Sequence, residues 1–591
     1  MPLPPPASSI PTRRRRSARA VAGLCALSML LTAAGPVARA QSPNPLPSLG
    51  DSVSEDLSVG TERQIGEQIM REIRRDPDYL DDPVLLEYLQ SIWKPLLVAA
   101  RERGNVAIEI DLRYTFEPFL VRDRSVNAFA LPGGFVGVHL GLMAITATPD
   151  ELAAVLAHEL SHVTQRHIAR SIAPSRQASI LAAAAAILGM LAASRAGSGD
   201  VGQAVMAGGQ AAAIQSQLNF SRDMEREADR VGFGVLTQAG YAPAGMAGMF
   251  EKLDKASRLN DSGNFPYLRT HPLTVERIGE ARMRVDPADL GKWTGSLLEH
   301  ATMQARARVL MDPRTDALRR LQGLDANAAP APIPEAVRVP DPKAQQLPGV
   351  LVVSPLGREA ERLAAAYASA LSSTLLRDWV RADAAMATAL QIVQGPTGGD
   401  VRATRSVRLL AAESMLARGD SARAMAALAP LGAEASRPVL LLKAQIAIGA
   451  PARPGAPAPA AEAGGSDAAA LQRSAEALQT WVANNPRDAV AWRTLGQVWA
   501  RLGQPLRELR AEAEAHLAEG DLQGAVERLR AAQRLARSGV ATDFIESSVI
   551  DSRLRDIEAQ RRAMLAAEGR KKGDPPQWTE SPGPAGWAPP M

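Results

Sequence analysis

The sequence predicts a multidomain chain: a mostly helical α+β domain with a small sheet, followed by an all-α solenoid of helical repeats. Three observations predict it. Of 591 residues, 46% are apolar but only 4% are aromatic, and alanine supplies much of the apolar share, which favours helices over β-sandwiches. In the first half, two short strand-like runs stand between stretches of helical periodicity. The second half repeats a pattern of helix, Gly-Asp and helix. This length gives room for two to four domains.

The N-terminus reads as a segment to be removed. Arg13–Arg16 and Arg19 precede the apolar run "AVAGLCALSMLLTAAG", and Ala38 and Ala40 supply the small residues of an A-x-A cleavage site. A basic start, a short apolar run and small residues at the cut predict a signal peptide over 1–40; an uncleaved anchor is the alternative. The whole chain has 67 basic and 63 acidic residues and a net charge of +4. Residues 1–40 hold six arginines and no acids, so the mature chain would have 61 bases against 63 acids, a net of −2. The basic balance belongs to the leader, and a nucleic-acid partner loses its support. The single cysteine, Cys25, lies in the leader behind Leu24, where a lipobox would need a small residue. A mature chain without thiols fits export to a periplasm.

After a Pro/Ser/Gly-containing lead (41–58), helical spacing runs through "TERQIGEQIMREIRRDPDYLDDPVLLEYLQSIWKPLLVAA", broken near Pro77 and Pro83. Two strand-like runs follow, "VAIEIDLRYTFE" and "NAFALPGGFVGVHLGLM", the second with Pro132-Gly133-Gly134 as a hairpin turn. From Pro149 the pattern is helical again, with Asp150 as N-cap or first-turn acid. The uncharged run 178–194 is about one residue short of the roughly 18 that suggest a membrane span. It reads as a buried or site-covering helix, with peripheral membrane contact and a true span as alternatives.

Residues 323–358, rich in proline and alanine, predict a linker. Beyond it, "LLAAESMLARGDSARAMAALAPL" aligns with "RAEAEAHLAEGDLQGAVERLRAA", with Gly419 and Gly520 at equivalent turns. Trp492, Leu495, Gly496 and Trp499 occupy the W-x2-L-G-x2-aromatic positions of a tetratricopeptide helix. Gly503 and Gly520 are about half a repeat apart, so one helix could serve two pairs. The array is predicted over 359–540 with a flexible insertion at 449–466, followed by a C-terminal helix (541–569) and a disordered tail (570–591).

The chemistry centres on "AHELSH", where His158-Glu159-Leu160-Ser161-His162 fits H-E-x-x-H. Residues four apart on a helix share a face, so both histidines can meet one zinc ion while Glu159 takes a proton from water as general base. With 7 histidines in 591 residues, chance produces this pattern roughly 0.005 times per chain. The domain over 59–322 is therefore predicted to be a zincin-type zinc metalloprotease. "NFSRDMEREADRVGFGVL" offers the third ligand: Glu225 would coordinate, and Asp229 one turn on could hydrogen-bond a ligating histidine. Glu227 competes with Glu225 but lies on another face of the same helix. His167, His300 and His516 carry no functional expectation.

Together "NAFALPGGFVGVHLGLM", "HELSH", "SRDMEREAD" and "RTHPLTVERI" make residues ~60–315 resemble the secreted branch of the HtpX/CAAX-prenyl-protease metallopeptidases, metallopeptidase family 48. The resemblance implies His158, His162 and Glu225 as ligands of one zinc ion per chain, Glu159 as base and Asp229 as support. It implies that Asn127, Ala128, Phe129 and Ala130, continuing to Gly134, flank the cleft as an edge strand for extended substrate. His139 matches the family loosely and reads equally as a core histidine. His271 of "RTHPLT" is a candidate fourth ligand that would close the site in a resting state, or else a loop histidine. Arg277 is a candidate oxyanion stabiliser or an ordinary ion-pair residue. The implied substrates are misfolded or stalled outer-membrane β-barrel proteins.

Two functions compete. One is a periplasmic zinc endopeptidase in protein quality control, whose repeats recruit substrates or the outer-membrane assembly machinery. The other is a chaperone-like adaptor with largely latent protease activity. A membrane-embedded protease is disfavoured.

Overall fold

Each opening helix starts at a side-chain cap. The Ser58 hydroxyl accepts from Thr61 N at the head of α1 (Val59–Ile73), and Asp82 accepts from Leu85 N at the head of α2 (Pro83–Glu102). The chain is described here by a computed structural model over residues 58–171, 222–259, 267–286, 294–324, 355–395, 399–449, 465–539 and 543–569. The expected leader (1–40), nearly all of the lead, the run 178–194, most of the linker and of the 449–466 insertion, and the tail from 570 lie outside these residues.

The first strand-like run is corrected. Ile108–Arg113 is a short helix, α3, and the strand begins only at Glu117. The alternation misled because its apolar residues do not share a buried face: Ile110 is 3% exposed, but Ile108 and Leu112 are 81% and 80% exposed. The second run forms the expected hairpin. The sheet contains β1 (Tyr79–Leu80), β2 (Glu117–Val121), β3 (Ala128–Leu131) and β4 (Phe135–His139) in the order β1-β2-β4-β3. Strands β2 and β4 are parallel and the other pairs antiparallel. In this order β3 is an outer strand.

A short helix, α4 (Leu140–Ile145), leads to the central helix, α5 (Pro149–Thr164). Thr148 caps α5, Pro149 opens it, and Asp150 and Glu151 place acid in its first turn. Asp150 also accepts from Ala242 N and Thr294 N, tying the start of α5 to two later segments. Every residue of α5 is buried. Around it lie α6 (His167–Ser171), α7 (Arg222–Gln238), α8 (Ala244–Leu259), α9 (Tyr267–Thr270), α10 (Val275–Met283) and α11 (Leu297–Leu310). No described helix is long and apolar enough to cross a membrane.

After α12 (Thr315–Gln322), the rest is helical among the described residues, from α13 (Pro355–Leu375) to the helix Phe544–Gly569. The multidomain layout, a mostly α domain with a small sheet followed by an all-α region, is therefore the observed one. Gly419, Gly503 and Gly520 adopt φ of 87°, 67° and 79° where one helix turns into the next, a conformation that costs glycine little. The helix Pro505–Ala518 packs on both Ala489–Arg501 and Leu522–Arg537, so it belongs to two successive pairs. Trp492, Leu495 and Trp499 are buried along one of these helices. The core around α5 continues into the later helices through Leu409, Ala412, Val439 and Leu442, which join the cluster containing Leu89, Leu156 and Met249.

Candidate metal centre

Helix α5 brings His158 and His162 to one face, and α7 lies across it. Gly232 permits the close approach: a Cβ there would stand 3.1 Å from Ala157 O and 3.2 Å from His158 Cα. Seven residues earlier on α7, two helical turns away, Glu225 faces both histidines. Its Oε2 is 3.5 Å from His158 Nε2 and its Oε1 is 3.4 Å from His162 Nε2. The two histidine Nε2 atoms are 3.0 Å apart. His271, just beyond α9, points its Nδ1 to within 3.0 Å of Glu225 Oε1 and 3.4 Å of His158 Nε2. One donor atom from each of His158, His162, Glu225 and His271 lies within 4.8 Å of the other three. Tyr267 stacks on the His271 ring at 4.6 Å and is itself buried.

The donor set fits a divalent cation. His158, Glu159 and His162 are 1%, 0% and 0% exposed, yet both Glu159 oxygens and Glu225 Oε2 have no hydrogen-bond partner. Buried carboxylates are costly without a compensating charge. Asp229 is paired with Arg277, which also stands 2.9 Å from Glu225 Oε2, and Glu227 is paired with Arg170; Glu159 beside the histidines is left for a cation to balance. Burial opposes charge on His158, but the Asp229 and Glu225 carboxylates outweigh it and raise its pKa to about 10. At Glu225 burial would raise the pKa, but His271 and His158 hold it far below the usual carboxylate range. Burial, with the neighbouring His158, pushes the His162 pKa well down.

Around these groups stands a shell that orients them. His158 Nδ1 is 2.9 Å from Asp229 Oδ1. Arg277 donates through Nε and Nη2 to the two Asp229 oxygens at 2.7 and 2.9 Å and through Nη1 to Pro272 O at 2.8 Å. Its Nη1 also stands 2.9 Å from Glu225 Oε2. The guanidinium considered for an oxyanion is thus taken up by protein acceptors, and the ion-pair alternative describes its position. Glu227, the competing ligand candidate, points away from the donor cluster to His167 and Arg170. His167 Nδ1 meets His162 Nδ1 at 2.9 Å, a contact that sequence reading missed. Burial lowers the His167 pKa to about 4, against the opposing pull of Glu227.

The remaining candidates separate cleanly. Ala128, Phe129 and Ala130 pair with β4 on one side only among the described residues, while Asn127 O accepts from His139 N. The sheet edge they form packs against α5. His139 is a buried histidine held by Ser125 and Asp123, and Phe129 meets it edge-on. His300 bridges Tyr88 OH and Thr146 O, and His516 pairs with Asp521.

The class of the domain follows from this arrangement and from comparison with known proteins. Residues 99–285 match the family described as Peptidase family M48, and the chain carries a metallopeptidase domain of that family. Among individual proteins, it is 36% identical over 297 residues to a β-barrel assembly-enhancing protease of Vibrio cholerae serotype O1, covering 50% of this chain and 56% of the relative. It is 34% identical over 247 residues to the β-barrel assembly-enhancing protease of Escherichia coli K12, covering 42% of this chain and 48% of that protein. A fungal relative, the mitochondrial metalloendopeptidase OMA1 of Schizosaccharomyces pombe, is 31% identical over 38% of this chain and 60% of its own length. The chain spans about half the length of the first two relatives it matches.

Proposed function

We propose that the chain is a periplasmic zinc-dependent endopeptidase of protein quality control, acting on misfolded or stalled outer-membrane proteins and assisting their assembly. The observation that carries the reading is the buried Glu159 carboxylate, without a hydrogen-bond partner, beside four converging donor residues. His158, His162 and Glu225 would hold the zinc, whose Lewis acidity makes a water nucleophilic near neutral pH. Glu159 takes the proton from the attacking water and can return it to the leaving amine. Asp229 fixes the His158 ring, and Arg277 fixes Asp229 as a positioning residue. The outer strand β3, with Asn127 before it, would align an extended substrate by backbone pairing. On this reading residues 59–322 are the catalytic region. The helices of 359–540 recruit unfolded protein or the outer-membrane assembly machinery. The names of the bacterial relatives support this context.

The second reading is a chaperone-like adaptor with a largely latent protease. It is favoured by His271, which crowds Glu225 at 3.0 Å and stands 3.6 Å from Glu159 Oε1, where a fourth ligand would occupy the position water needs. Hydrolysis of denatured casein, inhibited by a chelator and restored by zinc, tests the first reading. Glu159→Gln is expected to lower that hydrolysis by about 10²–10⁴-fold. If cells carrying Glu159→Gln keep the wild-type outer-membrane phenotype, the adaptor reading replaces it.

A further inference from the structure

We infer that His167 is a positioning residue for the ligand His162, holding its ring in the one tautomer that presents Nε2 to the metal. This rests on the zinc-site reading above. The His162 Nε2 atom faces Glu225 and His158. For Nε2 to offer a lone pair, the ring proton must sit on Nδ1. That Nδ1 is 2.9 Å from His167 Nδ1, which must then accept. The proton of His167 is thereby assigned to Nε2, which donates to Glu227 Oε2 at 3.1 Å. Arg170 Nη1 donates to the same oxygen at 2.8 Å and fixes the carboxylate at the end of the chain. Both imidazoles are fully buried, and this order of protons makes each contact a donor–acceptor pair.

The backbone is bent to make this contact. Helix α5 ends at Thr164, and Arg166 turns the chain with φ of 54°, a left-handed conformation uncommon outside glycine. The turn is anchored from outside the site: Arg166 Nε donates to Oε1 of Glu62, a buried residue of α1 that also accepts from Tyr114 OH. A strained residue held by a buried carboxylate is thus what places His167 beneath His162. The two ligating histidines of α5 are supported differently. His158 meets a carboxylate directly, whereas His162 meets one through a second imidazole.

Zinc affinity measured by chelator competition on the full chain tests the inference, with the absorption of the cobalt-substituted protein reporting ligand geometry. His167→Leu removes the acceptor and is expected to weaken zinc binding by about 10–100-fold and to shift the cobalt bands. His167→Asn, whose amide oxygen can stand where Nδ1 accepts, is expected to bind within a few-fold of wild type. Glu227→Ala leaves the ring but frees its tautomer, and is expected to fall between them. Should His167→Leu not fold, the His167→Asn and Glu227→Ala pair decides. Wild-type affinity in His167→Leu or Glu227→Ala, or a His167→Asn affinity as poor as that expected of His167→Leu, would overturn the inference while leaving the zinc site standing. A wild-type chain that binds no zinc would overturn the zinc-site reading itself.

Discussion

Two of the charge clusters among the described residues invite comparison, because one closes on itself and the other does not. Where α2 and α11 meet the later helices, Arg306 on α11 donates to both oxygens of Asp82 at 2.8 and 2.7 Å and to both oxygens of Glu413 at 2.8 and 2.9 Å. Asp82 also caps α2, and Tyr367 OH accepts from the same guanidinium. Every carboxylate oxygen there has a donor. At the metal centre, by contrast, neither oxygen of Glu159 has one. A complete ion network locks two regions together, whereas an incomplete one is a receptor for the charge it lacks. Burial alone does not distinguish them, but hydrogen-bond satisfaction does.

The comparison can be broken first at the junction. Arg306→Ala leaves the buried Asp82 and the half-buried Glu413 without a cation, and the expected loss is about 3 kcal/mol of stability, read from the urea midpoint. Zinc content per folded chain should not change. A loss within ordinary surface-substitution effects would show that the junction is not the structural cluster described here. At the metal centre the expected effect is on rate. His271→Ala should raise casein hydrolysis several-fold if the fourth donor closes the site, and unchanged or lower hydrolysis would remove the gate.

The smallest expected effect concerns pH. Glu299 lies in a cavity of about 320 Å³ between the two regions, bordered by Glu87, Arg402 and Arg405. Burial, against the pull of Arg402, raises its carboxyl to about 7 from the ordinary 4.5. The folded state therefore binds the proton more tightly than the unfolded chain. The stability this contributes is fully present below the unfolded value and is lost as pH rises through the folded one. Between pH 4.5 and 7, Glu299→Gln should lose less stability than wild type, as compared by urea midpoints. Equal slopes in the two proteins would contradict the shift.

Much of the metal centre was legible because its spacing is local. Two histidines four apart, and an acid four residues before Asp229, can be recognised on a single helix. His271 was legible only by resemblance, since its approach depends on how the chain returns after α8. His167 was not legible: five residues from His162 is off the helical face, and only the left-handed turn at Arg166 brings it back. The Arg306 cluster joins residues 224 and 107 positions apart with no local signal. Periodicity likewise could not tell that "VAIEIDLR" is a helix with one buried isoleucine rather than a strand.

The central claim is that His158, His162 and Glu225 hold one zinc ion beside the Glu159 carboxylate. Metal content of the purified chain, compared with Glu159→Gln and His158→Ala, tests it most directly. One zinc per chain is expected in the wild type and in Glu159→Gln, which removes the base but no ligand, and a strong loss is expected in His158→Ala. Zinc content unchanged by His158→Ala, or no zinc in the wild-type protein, would contradict the account.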